Sequence, residues 1–315
     1  MTVVPAALRP PSSFLDFDPM SLARSRWQSG TTISVCLPAR NEAATIGAIV
    51  RAIRRDLVET SGLVDEVVVM DDGSTDHTAD EAAAAGARVE SVTAVLPELP
   101  AGSGKGNVMW RSLWATRGDL ICWVDADVRG FDPRLVVGMI GPLLSNEDVD
   151  LVKGFFRRPA EGLPHGGGRV TELVARPLIS MLFPRLAEVV QPLAGFTAGR
   201  RAVLEAVPFF EGWGVEFGLL VDVAERVGLD RLAQVDLGSI EHDRGTLRKL
   251  APQAMAVLAV ALRRAGMDHS TDPICHLLAF DEGHVPDLQE VSVAERPPIN
   301  SVAEYRARAA AAMTA

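Results

Sequence analysis

Asp125 and Asp127 are the residues in this chain whose spacing most directly suggests chemistry. They close the apolar run Leu120-Ile121-Cys122-Trp123-Val124, which is short and reads as a buried strand. In an extended chain alternate side chains share a face, so the two carboxylates are expected to converge on one point. Paired hard oxygens at the mouth of a sheet suit Mg²⁺ or Mn²⁺, with phosphate oxygens completing the coordination. Turn and cap chemistry is the plainer use of an Asp-x-Asp at a strand end. Other loops therefore have to speak for the metal.

Two of them do. Strand Thr32–Leu37 runs into Pro38-Ala39-Arg40-Asn41-Glu42, and strand Glu66–Met70 runs into Asp71-Asp72-Gly73-Ser74. Apolar residues at helical spacing predict a helix from Glu42 to about Val58, and Asp76 is expected to cap a second through Ala85. Arg88–Glu90 reads as a short strand. The Pro/Gly-rich loop from Pro97 to Gly104 leads into a helix from about Lys105 to Thr116. Alternating strands and helices with short links predict an α/β fold with a mostly parallel sheet flanked by helices. In such sheets ligands bind beyond the carboxyl ends of the strands, and that is where the three polar loops lie.

The organisation expected along the chain is an irregular segment over residues 1–30, a nucleotide-binding half over 31–130, a second half over 131–270 and a tail over 271–315 that ends in a helix. The second half is expected to hold a strand at Leu151–Phe156, a helix from Arg169 to about Leu186, a strand near Ala233–Leu237, and helices at Val215–Val227 and Leu247–Arg264. The net charge of −10 argues against broad nucleic-acid binding, which needs clustered Lys and Arg. The longest apolar stretch, Ala254–Leu262, is far shorter than a membrane span, so no membrane partner is expected. The three cysteines follow no metal or redox spacing, which suits reduced thiols in a cytoplasmic protein.

Two other motifs can be weighed on their own chemistry. Gly102-Ser103-Gly104-Lys105-Gly106 lacks the first glycine and the Ser/Thr of a P-loop, so NTP hydrolysis is not expected. His165-Gly166-Gly167-Gly168 is similar to a lipase oxyanion loop, but no G-x-S-x-G elbow accompanies it. Gly166-Gly167-Gly168-Arg169 ahead of a helix reads better as an anion cradle of backbone N–H groups and a guanidinium. Glu216, inside an apolar stretch, needs either a partner or solvent.

Taken together, the loops at Pro38–Glu42 and Asp71–Asp76 and the Asp125-Ala126-Asp127 motif resemble the signature order of GT-A glycosyltransferases. The second half resembles the glucosyl-3-phosphoglycerate synthases in particular. The resemblance is carried by Gly166 through Leu178, Lys105-Gly106, Val152-Lys153, Arg157-Arg158-Pro159, Gln191-Pro192-Leu193 and Gly214-Val215-Glu216. It implies a GT-A, Rossmann-like sheet with a mainly helical C-terminal acceptor region. It also implies a retaining glucosyltransferase that uses a nucleoside diphosphate glucose, 3-phospho-D-glycerate and Mg²⁺ or Mn²⁺, working as a homodimer. The related alternatives are a mannosyl-3-phosphoglycerate synthase, a polyprenyl-phosphate glycosyltransferase, and a non-catalytic nucleotide-sugar-binding protein.

Residue by residue, the resemblance implies donor contacts from Pro38, Ala39, Asn41, Glu42, Asp72, Gly73, Lys105, Asp125 and Leu193. It places the metal on Asp127, Asp125 and His242, and the acceptor on Gly168, Arg169 and Thr171. Glu216 would orient the sugar or accept the acceptor's proton. The chain departs from the family after His242, where Asp243-Arg244-Gly245 replaces a basic, Asn-containing segment. Arg244, or Arg248 and Lys249 from the next helix, is expected to fill that role.

Overall fold

The computed structural model describes residues 8–158, 168–241, 246–280 and 284–314. Its strands are β1 (Ser12–Ser13), β2 (Ile33–Ala39), β3 (Glu66–Asp71), β4 (Arg88–Ser91), β5 (Leu120–Trp123), β6 (Leu151–Arg157), β7 (Thr197–Arg200), β8 (Phe209–Phe210), β9 (Leu232–Ser239), β10 (Ile274–Phe280), β11 (Pro286–Ser292) and β12 (Glu295–Arg296). Its helices are α1 (Pro19–Ser29), α2 (Ile46–Ile53), α3 (Thr78–Ala84), α4 (Gly104–Ala115), α5 (Arg134–Ser145), α6 (Arg176–Leu182), α7 (Arg201–Leu204), α8 (Val215–Val227), α9 (Leu247–Arg264) and α10 (Ala303–Thr314).

Eight strands form one sheet in the order β1-β9-β6-β7-β5-β2-β3-β4. Only β7 runs against its neighbours, β5 and β6. Strands from both halves of the chain therefore share one sheet, and β2, β3, β5, β6 and β9 all point their carboxyl ends the same way. Alternation explains the two cores. Val35 and Leu37 of β2 and Val67 and Val69 of β3 face one apolar cluster, while Cys36, Val68 and Met70 face the other. A sheet covered on both faces needs near-continuous apolar strands, which is how β2, β3 and β5 read. Each fully buried Val or Leu contributes about 1.5–3 kcal/mol.

Several local expectations are corrected. The segment over residues 1–30 is not irregular where it is described. Asp18 caps α1, accepting from the Ser21 N–H at 2.7 Å, and Gly30 ends the helix at φ 70°. Phe14 and Phe17 lie against the bare Cα atoms of Gly138 and Gly141 on α5. The helix expected from Glu42 begins at Ile46 and continues as a π-helix over Arg54–Thr60. Residues 42–45 form a turn because the Glu42 N–H is taken by Thr78 Oγ1 at 2.7 Å and the Ala43 N–H by Asp76 at 3.2 Å. Helix α3 starts after Asp76, whose Oδ1 accepts the Thr78 N–H at 3.0 Å. The helix expected from Arg169 passes through a π-turn at Thr171–Ala175 into α6 and ends at Leu182. The hairpin β10–β11 interrupts the tail ahead of α10. Among the described residues, no helix is long and apolar enough to cross a membrane.

Helix α4, which carries Lys105, is fixed from behind. The Trp110 Nε1–H donates to Pro297 O at 2.7 Å, and both Arg111 and Arg296 donate to Pro100 O, at 2.9 and 2.8 Å. Gly106 lets α4 approach β8 so closely that a Cβ would fall 1.8 Å from Phe210 O. Gly106→Ala is accordingly expected to lower folding stability by about 1–3 kcal/mol, through overpacking against backbone, as read by urea unfolding.

Candidate active site

Lys105 stands at the centre of the carboxyl edge. Its Nζ lies 2.8 Å from Asp125 Oδ1 and 2.8 Å from Glu216 Oε1. All three groups are largely withdrawn from solvent, with Glu216 at 6% exposure. Burial works against the charged lysine, but the Asp125 and Glu216 carboxylates outweigh it and hold its pKa above the ordinary lysine value. Glu216, in the first turn of α8, therefore has the partner its apolar surroundings demand.

The extended-strand argument for the aspartate pair does not hold. Strand β5 ends at Trp123, and Ala126 and Asp127 lie in a turn. Thr45 Oγ1 pins that turn by donating to Ala126 O at 2.6 Å. Both carboxylates nonetheless act electrostatically on the same group, Arg158. Gly195 makes room for Asp125: a Cβ there would fall 2.0 to 2.5 Å from the carboxylate atoms.

The first two loops are laced together on the other flank of β5. Asn41 adopts φ 59°, a left-handed conformation that Asn tolerates. Its N–H donates to Ser74 Oγ at 3.0 Å, and its Oδ1 accepts the Thr75 N–H at 2.8 Å. The Asp72 N–H donates to Ala39 O at 2.9 Å, and Arg40 lies 3.8 Å from the Asp72 carboxylate. Burial raises the Asp72 pKa above the usual carboxylate value against the pull of Arg40. Gly73 is exposed at φ 71° and faces open space, while Pro38 is half-buried where β2 reaches this edge.

On the β6 side, Gly168 at φ 71° leads into the helical turn that carries exposed Arg169 and buried Thr171. Its missing Cβ would lie 3.5 Å from both Arg158 Nη1 and Thr171 Cβ. Arg158 thus lies beside Gly168 and Thr171 while feeling the charge of Asp125 and Asp127. Its guanidinium stacks 4.7 Å from the Phe156 ring centroid, and burial pulls its pKa below the ordinary arginine value. The Arg157-Arg158 pair at the end of β6 was the signal for it, yet it was not among the expected site residues. Leu193 is half-buried in the segment ahead of β7, beside Gly195.

His242 and Arg244 lie outside the described residues. Glu241, just before them, pairs with Arg129, two residues past Asp127, through an N–H···O bond of 3.3 Å. Arg248 is committed elsewhere, 2.6 Å from Asp287 on β11, and Lys249 is exposed on α9. Among the described residues, no three His, Cys, Asp or Glu side chains gather into a metal cluster. The donor set that is described, two carboxylates with space preserved by Gly195, fits a divalent cation completed by substrate phosphates.

A mostly parallel sheet of this topology, with acidic and basic groups at its carboxyl edge, matches the GT-A fold class of glycosyltransferases. Residues 34–206 match the model of glycosyl transferase family 2, and the chain belongs to that family. It is 49% identical over 280 residues to the glucosyl-3-phosphoglycerate synthase of Mycolicibacterium smegmatis, spanning 87% of this chain and 91% of the relative. It is similar to the structure of glucosyl-3-phosphoglycerate synthase from Mycobacterium tuberculosis with Mn²⁺, UDP-glucose and phosphoglyceric acid, at TM-score 0.80 and 42% identity over 93% of this chain and 96% of that one. A mannosyl-3-phosphoglycerate synthase structure from Rubrobacter xylanophilus gives TM-score 0.84 and 39% identity, covering 93% and 97%.

Gly195→Ala tests the geometry around Asp125. The fold accommodates the methyl if the carboxylate swings aside. Glycosyl transfer is expected to fall by at least about tenfold in a steady-state assay, because misplaced reacting groups are costly. The thermal midpoint is expected to change by only a few degrees.

Proposed function

We propose that this protein transfers glucose from UDP-glucose to the hydroxyl of 3-phospho-D-glycerate, with retention at the anomeric carbon and with Mg²⁺ or Mn²⁺ bound. The observation that carries this reading is the bridge from Lys105 to Asp125 and Glu216, set beside the Arg158–Gly168–Thr171 cluster. The first group suits a diphosphate and a polyhydroxylated sugar, and the second suits a small anionic acceptor.

In this reading Pro38, Ala39, Asn41, Glu42, Asp72 and Gly73 line the nucleoside pocket. Asp127 and Asp125 hold the metal from the donor side, with His242 as a further ligand. The bound metal would offset charge gathering on the departing diphosphate. Lys105 adds a buried positive charge on the same side. Glu216, paired with Lys105 at 2.8 Å, accepts hydrogen bonds from the sugar rather than attacking it. Gly168, Arg169 and Thr171 grip the acceptor, with Arg158 between them and the donor and Arg244 closing the site. The acceptor oxygen bonds to the anomeric carbon as the bond to the β-phosphate oxygen breaks, and the acceptor proton passes to that departing oxygen.

The likeness to a mannosyl-3-phosphoglycerate synthase supports one rival, transfer from GDP-mannose. Incubation with each donor, Mn²⁺ and 3-phosphoglycerate is expected to give glucosyl-3-phosphoglycerate from UDP-glucose as the main product. Mannosyl product in excess overturns the sugar assignment. Asp127→Ala and chelation of the metal are each expected to cut turnover by about 10³-fold or more, on the scale of a lost transition-state contact.

The working unit in this reading is a cytoplasmic homodimer. The three cysteines are free, which suits a reducing compartment. The β10–β11 hairpin sets Leu278 opposite Leu288 and Phe280 opposite Pro286, all exposed, and a two-stranded ribbon needs packing to be stable. A second copy is the proposed cover. Leu288→Lys is expected to shift the sedimentation coefficient from dimer to monomer.

A further inference from the structure

Lys153 has no task in the reading above. It sits on β6 at 4% exposure, and its ammonium donates to Ala194 O at 2.6 Å and Thr197 Oγ1 at 2.9 Å. Neither partner is charged, and no carboxylate pairs with Lys153 among the described residues. A buried ammonium satisfied only by neutral oxygens is costly, and an apolar side chain of similar volume is often no worse for stability. Packing alone therefore does not account for a lysine here.

What it holds is informative. Ala194 stands between Leu193 and Gly195, and Gly195 is the residue packed against the Asp125 carboxylate. Thr197 opens β7 and is in register with both Trp123 and Lys153. The segment is short and otherwise tied by the Ala194 N–H to Gln191 O at 3.1 Å and the Gly154 N–H to Phe196 O at 3.0 Å. The charged groups facing Lys153 are Glu216 on α8, Lys105 on α4 and Asp125 after β5; burial pulls its pKa down to about 8. The nucleoside loops, by contrast, are bonded to one another on the far flank of β5.

We propose that Lys153 is a positioning residue that clamps the 193–195 segment against Asp125 and so fixes the sugar-side wall of the donor pocket. It touches no substrate. The assignment rests on the proposed glucosyl transfer, in which this wall faces the reacting sugar.

Lys153→Met and Thr197→Val in the full chain test it. For Lys153→Met, kcat with UDP-glucose, 3-phosphoglycerate and Mn²⁺ is expected to drop by on the order of 10²-fold. Calorimetric affinity for UDP with Mn²⁺ is expected to stay within about twofold, since uniform binding is untouched. The thermal midpoint is expected to be equal or higher. Thr197→Val removes one of the two acceptors and is expected to lose less. The double variant is expected to be no worse than Lys153→Met, as for residues in one network. A kcat within about twofold of wild type overturns the proposal. So does a parallel loss of UDP affinity and thermal stability. Should Lys153→Met fail to fold, Thr197→Val is judged by the same measures. Hydrogen exchange separates this claim from the function: amides at 194–196 are expected to exchange at least about tenfold faster in either variant, and unchanged exchange overturns the clamp whatever the wild type's donor proves to be. A wild type inactive with UDP-glucose refutes only the functional reading.

Discussion

A buried lysine between two carboxylates is the interaction on which the rest of this structure depends. Lys105 comes from the first turn of α4, Asp125 from the turn after β5, and Glu216 from the first turn of α8. Removing Lys105 leaves two carboxylates withdrawn from solvent without their cation, which is far more damaging than the ion pairs are stabilising. The three elements must therefore meet at one point. The surrounding structure enforces it: Gly106 admits α4 to β8, Gly195 admits the Asp125 carboxylate, and the Arg111–Arg296–Pro100 contacts hold the loop that precedes α4.

The sheet supplies the edge on which this happens. Strand β7 runs against β5 and β6, so the segment preceding it arrives at the same edge as the loops following its neighbours. That reversal sets Leu193–Gly195 beside Asp125 and separates the flank built by β2 and β3 from the flank built by β6. The charges divide along the edge as well: the Asp125 and Asp127 carboxylates follow β5, while Arg158 lies with Gly168 and Thr171 on the β6 side.

Much of this was legible in the residues. Strands β2, β3 and β5 announce themselves as apolar runs, and the polar residues that follow them mark the ligand edge because parallel sheets bind there. Asn41 and Asp72 lie in the loops that follow β2 and β3, and Lys105 lies beside Asp125. The errors have physical causes. Glu42 through Thr45 looked helical, but the Thr78 hydroxyl and Asp76 carboxylate bind Glu42 and Ala43 and delay the helix to Ile46. Asp18-Pro19 and Gly30 were adequate helix signals, obscured by the prolines before them. The hairpin β10–β11 alternates polar and apolar residues only weakly, so its strands carry little local signal.

The sequence by itself determined the α/β class, the family resemblance and the side chains available for chemistry, because periodicity and motif spacing are local properties of the chain. It did not determine how those side chains are paired. Lys105 could not be matched with Glu216, Lys153 with Ala194 and Thr197, or Arg158 with the aspartate pair, because each contact joins residues distant in sequence. Only the assembled sheet brings Lys105 and Lys153 within hydrogen-bonding reach of these partners, and Arg158 within the electrostatic reach of the aspartates.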